Sequence, residues 1–283
     1  MSTFRNNTFT LLFILSIISV LTLGGLFYTG KAKETEVPKK EMVLATTTST
    51  EDSGLLDVII PAFEKEVQGK IKVKIVAVGT GQAIQLGKDG NADVLLVHAK
   101  KSEDEFVAQG FGSNAYDVMY NEFLIVGPAE DQANIGSAQT SVEAFKLIAD
   151  SQSKFLSRGD DSGTHKKELS LWGKIETQLE DDWYISSGQG MGETLRMADE
   201  MSGYTLVDEA TFLTTKSNLK VLFRGDEDLF NQYGIIQVSS TKNPNEANEL
   251  ISFFVSPKGQ KIIEDFAKDK YGKSIFVPNA KKR

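Results

Sequence analysis

From Met42 onward, short apolar runs alternate with stretches that carry an amphipathic helical stripe, and that order restricts the chain to α/β architectures. Met42 to Ala45 reads as a strand that ends in the hydroxyl run Thr46-Thr47-Thr48-Ser49-Thr50. Gly54 to Val67 places Leu55, Ile59, Phe63 and Val67 on one helical face, with Asp52 or Ser53 placed to cap it and Pro61 to bend it. Lys72 to Val78 alternates and then turns continuously apolar, as a strand does on entering a core. Gly79-Thr80-Gly81 and a short helix through Ala83, Ile84 and Leu86 follow. Asp93 to Val97 is a buried strand, and Ser102 to Ala108 a charged helix. A β-α-β-α-β-α order of this kind predicts a parallel sheet with right-handed crossovers.

Near Tyr120 the pattern changes. Glu122 to Val126 is a strand running through Gly127-Pro128 into a loop, and a second α/β series begins. It comprises helices over Val142–Ala149, Thr164–Trp172, Met191–Met201 and Glu209–Thr214. Its strands are Phe155-Leu156, Trp183–Ile185, Tyr204–Val207, Val221–Phe223 and Tyr233–Val238. Two amphipathic helices, Pro244–Phe254 and Pro257–Phe266, close the chain, and no internal repeat is visible. Two α/β blocks, with closing helices free to return to the first, predict a two-lobed clamshell. The predicted division is residues 41–120 with 236–283 for lobe 1 and 121–235 for lobe 2.

The first forty residues stand apart. Asn6 to Gly30 carries no charge, Arg5 precedes it, and Lys31, Lys33, Lys39 and Lys40 follow, which is the pattern of an export signal. The apolar part, Phe9 to Tyr28, is also about the ~20 residues that span a bilayer. A cleaved leader and a retained anchor are therefore both open, and either puts the protein on the extracytoplasmic side. Residues 31–41 read as a charged linker. With no Cys in the chain, a lipid-modified cysteine, a disulfide framework, thiolate metal sites and a thiol nucleophile are all excluded. Two His, His98 and His165, leave little room for a His-based metal centre. The formal charge is −8, and without the five cations and two anions of residues 1–40 it becomes −11. So acidic a chain argues against nucleic acid as a partner, and an anion would need a local site.

Three polar loops supply such a site. Thr46–Thr50, Gly79-Thr80-Gly81 and Ser157 to Thr164 (SRGDDSGT) each stand between a strand and a helix start. Helix N-termini offer unpaired N–H groups and roughly +0.5 charge each, so three of them with Arg158 supply about +2.5. That matches a doubly negative oxyanion, whose four oxygens need donors from several directions. Arg158 provides permanently charged planar donors, which Asp160 could orient. Hydroxyl runs before helices also serve as caps alone.

Other chemistries fit less well. Ser162 and His165 are three apart at a helix start, but the surrounding Gly159-Asp160-Asp161-Ser162-Gly163 is not the G-x-S-x-G elbow of a hydrolase. Gly79-Thr80-Gly81-Gln82-Ala83-Ile84 lacks the third small residue of a dinucleotide fingerprint. Gly188-Gln189-Gly190-Met191-Gly192 reads as a tight turn into a helix whose amides could join the cleft. His98 ends a strand near the cleft, placed either to touch a ligand or to fill space. Glu180-Asp181-Asp182 reads as a solvated face. An anion-sensing ectodomain would need a partner to signal.

The residues also carry a resemblance. The run Thr46–Thr50 followed by Ser53-Gly54-Leu55-Leu56-Asp57 resembles the opening of tungstate-binding components of ATP-driven (ABC) importers. So do VGTGQA (Val78–Ala83), ADVLLVHA (Ala92–Ala99), VMYNEFLIVGP (Val118–Pro128), SRGDDSGTHKKEL (Ser157–Leu169) and GQGMGETL (Gly188–Leu195). SPKGQKII (Ser256–Ile263) is common to many solute-binding proteins. The resemblance spans residues 42–283. It implies a type II periplasmic-binding-protein fold, two lobes joined by a two-strand hinge with the anion between them. It also implies a non-enzymatic binding protein that acts as a monomer, without cofactor or bound metal ion, and hands its ligand to a membrane permease with a cytoplasmic ATPase. Matched by motif, the ligand-binding residues are Thr47, Thr48, Ser49, Thr80, Arg158, Ser162, Gly163 and Thr164. The ligand implied is tungstate, with molybdate or phosphate as alternatives. Phosphate proteins carry a similar R-x-D-x-S-G-T loop, but hydrogen phosphate wants a carboxylate acceptor.

Overall fold

The computed structural model describes residues 39–179 and 182–283. The predicted export signal and most of the linker therefore lie outside the described residues, as do Glu180 and Asp181 of the acidic cluster. Residues 39–283 form one compact unit.

The first α/β series folds as its alternation requires. Strand β1 (Lys40–Thr47) pairs in parallel with β2 (Ile71–Val78) on one side and β3 (Val94–Val97) on the other. Helices α1 (Thr48–Asp52), α2 (Leu56–Glu66) and α3 (Thr80–Lys88) lie between these strands, and α4 (Lys100–Ala108) follows β3. Side chains alternate across the sheet, so the continuous run of β3 is buried on both faces. Val94 and Leu96 join Met42, Leu44, Phe63, Ile251 and Phe254 on one face; Leu95 and Val97 join Ala45, Ile84, Phe106 and Ile236 on the other. Pro61 lies inside α2, and Ser53 Oγ accepts the Leu55 amide at 3.2 Å just before that helix.

The sheet is mixed rather than wholly parallel. Next to β3 lies β9 (Phe230–Val238), running antiparallel, then β4 (Gly112–Gly127) and β10 (Val277–Lys282), in the order β10-β4-β9-β3-β1-β2. β4 is much longer than the Glu122–Val126 run expected from its sequence. Its first part, through Glu122, pairs with β9. The rest pairs with β7 (Thr205–Asp208) and β8 (Lys220–Phe223) in lobe 2. The two lobes are thus joined by the antiparallel pair β4–β9, in which Asn121 faces Asn231 and Glu122 faces Phe230.

Lobe 2 repeats the logic of lobe 1. β5 (Phe155–Ser157) pairs in parallel with β6 (Tyr184–Ser186) and bridges to β7 through Phe155 and Tyr204. Helices α5 (Ser141–Ser151), α6 (Gly163–Trp172), α7 (Met191–Glu200) and α8 (Glu209–Thr214) complete it. Along β4 the faces separate again, with Phe123 and Ile125 in one core and Leu124 and Val126 in the other. The first of these cores is aromatic: Phe155 meets Phe145 at 5.4 Å, Trp172 at 5.1 Å and Tyr184 at 6.1 Å between ring centroids. Helices α9 (Pro244–Val255) and α10 (Pro257–Asp265) return to lobe 1, and α11 (Lys268–Tyr271) follows. Among the described residues no helix is long and apolar enough to cross a membrane.

Phe155 is fully buried and lies three residues before Arg158. Phe155→Ala leaves a void among three aromatic rings and is expected to lower unfolding stability by about 3–5 kcal/mol. Urea denaturation measures it, and a loss below about 1 kcal/mol would contradict the packing described.

Candidate oxyanion site

Each predicted donor loop forms where a strand gives way to a helix. β1 ends at Thr47, whose Oγ1 accepts the Thr50 amide at 3.2 Å and caps α1. β2 ends one residue before Gly79, which opens α3 without a side-chain cap. β5 ends at Ser157, and the chain reaches α6 through a loop in which Gly159 (φ 62°) and Asp161 (φ 58°) are left-handed. Glycine and aspartate tolerate that region, and the turn carries Asp160 back over Arg158. Asp160 Oδ2 accepts Arg158 Nη2 at 2.5 Å, and its Oδ1 accepts the Ser162 amide at 3.2 Å. Ser162 Oγ accepts the His165 amide at 3.1 Å and caps α6.

The three loops meet. A Cβ placed on Gly163 of lobe 2 would lie 3.0 Å from His98 Cε1 and 3.2 Å from Thr80 Oγ1, both in lobe 1. A side chain at 163 would therefore press on His98 and Thr80, which would have to shift by a few tenths of an ångström. A Cβ on Gly79 would stand 3.6 Å from the Asp160 carbonyl, and one on Gly81 would collide with the Asp161 carboxylate. The first loop joins through Ser49, whose Oγ lies 3.2 Å from His98 Nε2.

Buried polar atoms normally find partners, so those that do not are informative. Thr48 Oγ1, Thr80 Oγ1, Arg158 Nε and Thr164 Oγ1 are buried without a hydrogen-bond partner. They come from all three predicted loops. Arg158 itself is only 3% exposed. The other predicted residues are brought to the same place but in different roles. Thr47 caps α1 and contacts Ser49 Oγ and Thr50 Oγ1. Ser49 is bonded to Thr47 and His98. Ser162 accepts a backbone amide, which leaves its own proton free to donate. Gly163 contributes clearance and a backbone N–H.

Two carboxylates of the third loop are committed, whereas Glu51 Oε2 beside the first loop is buried without a partner. Asp160 is held by Arg158 and Ser162, and Asp161 pairs with Lys166. The Asp161 amide donates to His165 Nδ1 at 3.1 Å, so Ser162 and His165 form a capping arrangement with the imidazole turned to Asp161.

Two residues gain importance that sequence reasoning did not give them. One is His98, which links the first loop through Ser49 and lies against Gly163 of the third, where its sequence position allows either ligand contact or space-filling. The other is Glu168 on α6, which accepts Ser157 Oγ at 2.8 Å, Tyr184 OH at 2.7 Å and Trp172 Nε1 at 3.2 Å. A mid-helix glutamate looks solvent-facing in sequence, yet this one is buried behind the strand end that delivers Arg158. Burial pushes its carboxyl up to about 7, against the opposing effect of those hydrogen bonds.

Comparison with known proteins agrees with this architecture. Residues 31–258 match the family model of a PBP superfamily domain. A tungstate-binding protein TupA from Peptoclostridium acidaminophilum is 48% identical, covering 95% of this chain and 99% of the relative. The chain belongs to the TupA family. A Campylobacter jejuni member, also a tungstate-binding protein, is 40% identical over 83% of this chain and 90% of its own length. Among solved structures, the tungstate ABC transporter protein from Geobacter sulfurreducens superposes with a TM-score of 0.72 at 49% identity, covering 80% of this chain and 98% of that one. TupA from Desulfovibrio alaskensis G20 gives the same TM-score at 41% identity, covering 86% and 100%. Membership accounts for the two α/β lobes and the pair of crossing strands.

The Glu168 carboxyl sets a pH dependence of stability. Its folded value, about 7, lies above the unfolded 4.5, so the folded state binds more protons between those values. Stability contributed by the protonated form is present below 4.5 and lost as pH rises through 7. Buried Glu103, also raised to about 7, acts in the same sense. The melting temperature is expected to fall more steeply between pH 5 and 8 in the parent than in Glu168→Gln. Parallel curves for the two proteins would contradict the assignment.

Proposed function

We propose that the protein captures tungstate between its two lobes outside the cytoplasm and delivers it to an ABC permease driven by a cytoplasmic ATPase. The observation that supports this reading is that Thr48, Thr80, Arg158 and Thr164 each bury a polar atom without a partner, in three loops linked by the approach of Gly163 to His98 and Thr80 and by the Ser49–His98 contact. Desolvated donors of this kind cost free energy until an acceptor fills the site. A tetrahedral dianion offers acceptors in all the required directions. Its charge is met by Arg158 and by backbone N–H groups at the helix starts, in surroundings where excluded water strengthens each contact. Relatives named as tungstate-binding proteins support the choice of ligand.

The commitment of Asp160 to Arg158 bears on selectivity. Hydrogen phosphate carries a proton that needs an acceptor, and the carboxylate beside Arg158 is already engaged. Tungstate and molybdate carry no such proton at neutral pH. In this reading the protein works as a monomer without a cofactor, and no step requires catalysis. Thr47, Ser49 and Ser162 shape the site chiefly through their backbone amides and caps, while Gly163 lets the lobes close.

Titration calorimetry with tungstate, molybdate, sulfate and phosphate tests the reading. Tungstate is expected to bind tightest, and phosphate as the preferred ligand would overturn it. Arg158→Ala should weaken tungstate binding by about 2–5 kcal/mol, since it removes a buried charged donor and strands Asp160. Parent-like affinity in that variant would show that the anion sits elsewhere.

A further inference from the structure

His98 follows β3 directly, is almost fully buried, and stacks on Tyr233 at 4.7 Å between centroids. Its two nitrogens face opposite ways. Nε2 meets Ser49 Oγ at 3.2 Å in the first donor loop, and Nδ1 meets Asn231 Oδ1 at 3.0 Å on β9. The Asn231 amide nitrogen is already used, donating to Asn121 Oδ1 at 2.7 Å on β4 and to Tyr233 OH at 3.3 Å. Asn121 and Asn231 are register partners on the two strands that join the lobes. A continuous buried chain of hydrogen bonds therefore runs from the oxyanion loop to the lobe-joining pair.

The direction of that chain follows from donor chemistry. With the Asn231 amide donating to β4, its carbonyl oxygen faces the ring and can only accept, so Nδ1 carries the imidazole proton. Burial, aided by the charge of Arg158, holds the His98 pKa at about 4, so the ring is neutral and has one proton. Nε2 is then an acceptor, and Ser49 must donate to it.

We propose that His98 is a positioning residue of the oxyanion cleft: as the Nδ1-protonated tautomer it takes the Ser49 hydroxyl proton and ties the first donor loop to the Asn231–Asn121 clasp on the crossing strands. The proposal rests on the oxyanion-binding reading above. It gives Ser49 an indirect role, because its proton is directed at the imidazole rather than at the ligand. It also means that Thr48, the adjacent residue with an unmatched hydroxyl, is held in register with the strands along which the lobes join. Loss of the tie frees the loop, and the ligand leaves sooner.

Three variants and one spectrum test this. His98→Phe keeps a ring over Tyr233 but loses both hydrogen bonds, and tungstate should bind about tenfold more weakly, mostly through faster release in stopped-flow measurements. His98→Gln places an amide oxygen near the position of Nε2 and should recover most of that loss. His98→Asn reaches only the Nδ1 side and should not. On the ligand-free parent, two-bond 15N–1H correlation should show His98 protonated at Nδ1 alone at neutral pH. An Nε2–H tautomer, an imidazolium, or a His98→Phe variant that matches the parent in affinity and release rate would overturn the proposal. A parent protein that binds no oxyanion at all would instead overturn the functional reading, and that result is seen before any variant is made.

Discussion

A guanidinium withdrawn from water with one of its donors unmatched is costly to maintain, and the organisation of the cleft follows from how Arg158 is held. Asp160 neutralises it through a short charge-assisted hydrogen bond, and the same carboxylate also accepts the Ser162 amide, so one residue orients both the arginine and the start of α6. With Arg158 and Asp160 cancelling, the net positive field at the site comes mainly from helix N-termini and oriented hydroxyls. That suits a chain whose folded part is strongly acidic. Long-range attraction of an anion is unfavourable, and recognition depends on donors that act only at contact distance. Because these donors are desolvated before the ligand arrives, ligand binding and fold stability are linked through the same atoms.

The scaffold explains why the donors arrive together. β1 is paired on both sides, β5 is buried between two cores, and β2 is the half-exposed edge strand held by its pairing with β1. The loops do not cross the gap by their own flexibility. They are brought together by the β4–β9 pair, which belongs to both lobes, and Gly163 leaves room for His98 and Thr80 at the contact. Glu168 braces the lobe-2 side from behind, accepting hydrogen bonds from β5, β6 and its own helix. Its partial protonation near neutral pH limits the negative charge behind the arginine.

Much of this was legible in the residue order, and the parts that were not have identifiable causes. Runs such as DVLLV and EFLIV announce strands because both of their faces are buried. The first half of β4, GSNAYDVMYN, mixes polar and apolar residues, because it lies where the lobes join and contacts differ on its two faces. β10 reads VPNAKK, a polar edge segment that becomes a strand only by pairing with β4. The hydroxyl loops could be recognised as donors as a class, but not which hydroxyl stays free. Thr47 and Ser162 accept the amides of Thr50 and His165, which leaves the Ser162 proton free to donate, and Ser49 meets an imidazole forty-nine residues away. His98 itself has partners at 49 and 231 and a neighbour at 163, separations that no local pattern encodes.

Selection among tetrahedral anions can then be understood as a question of what the cleft lacks. Backbone amides and a guanidinium can only donate, and Asp160 and Asp161 are engaged by Arg158, Ser162 and Lys166. A ligand that must itself donate a proton finds the Asp160 carboxylate already taken and has to turn to other oxygens. The free energy at stake is of the order of one buried hydrogen bond, about 1 kcal/mol, together with the mismatch left behind. Charge alone would not separate two dianions of similar size. The availability of acceptors separates those that carry a proton from those that do not, and Asp160, facing inward to Arg158 rather than outward to the ligand, removes one of them.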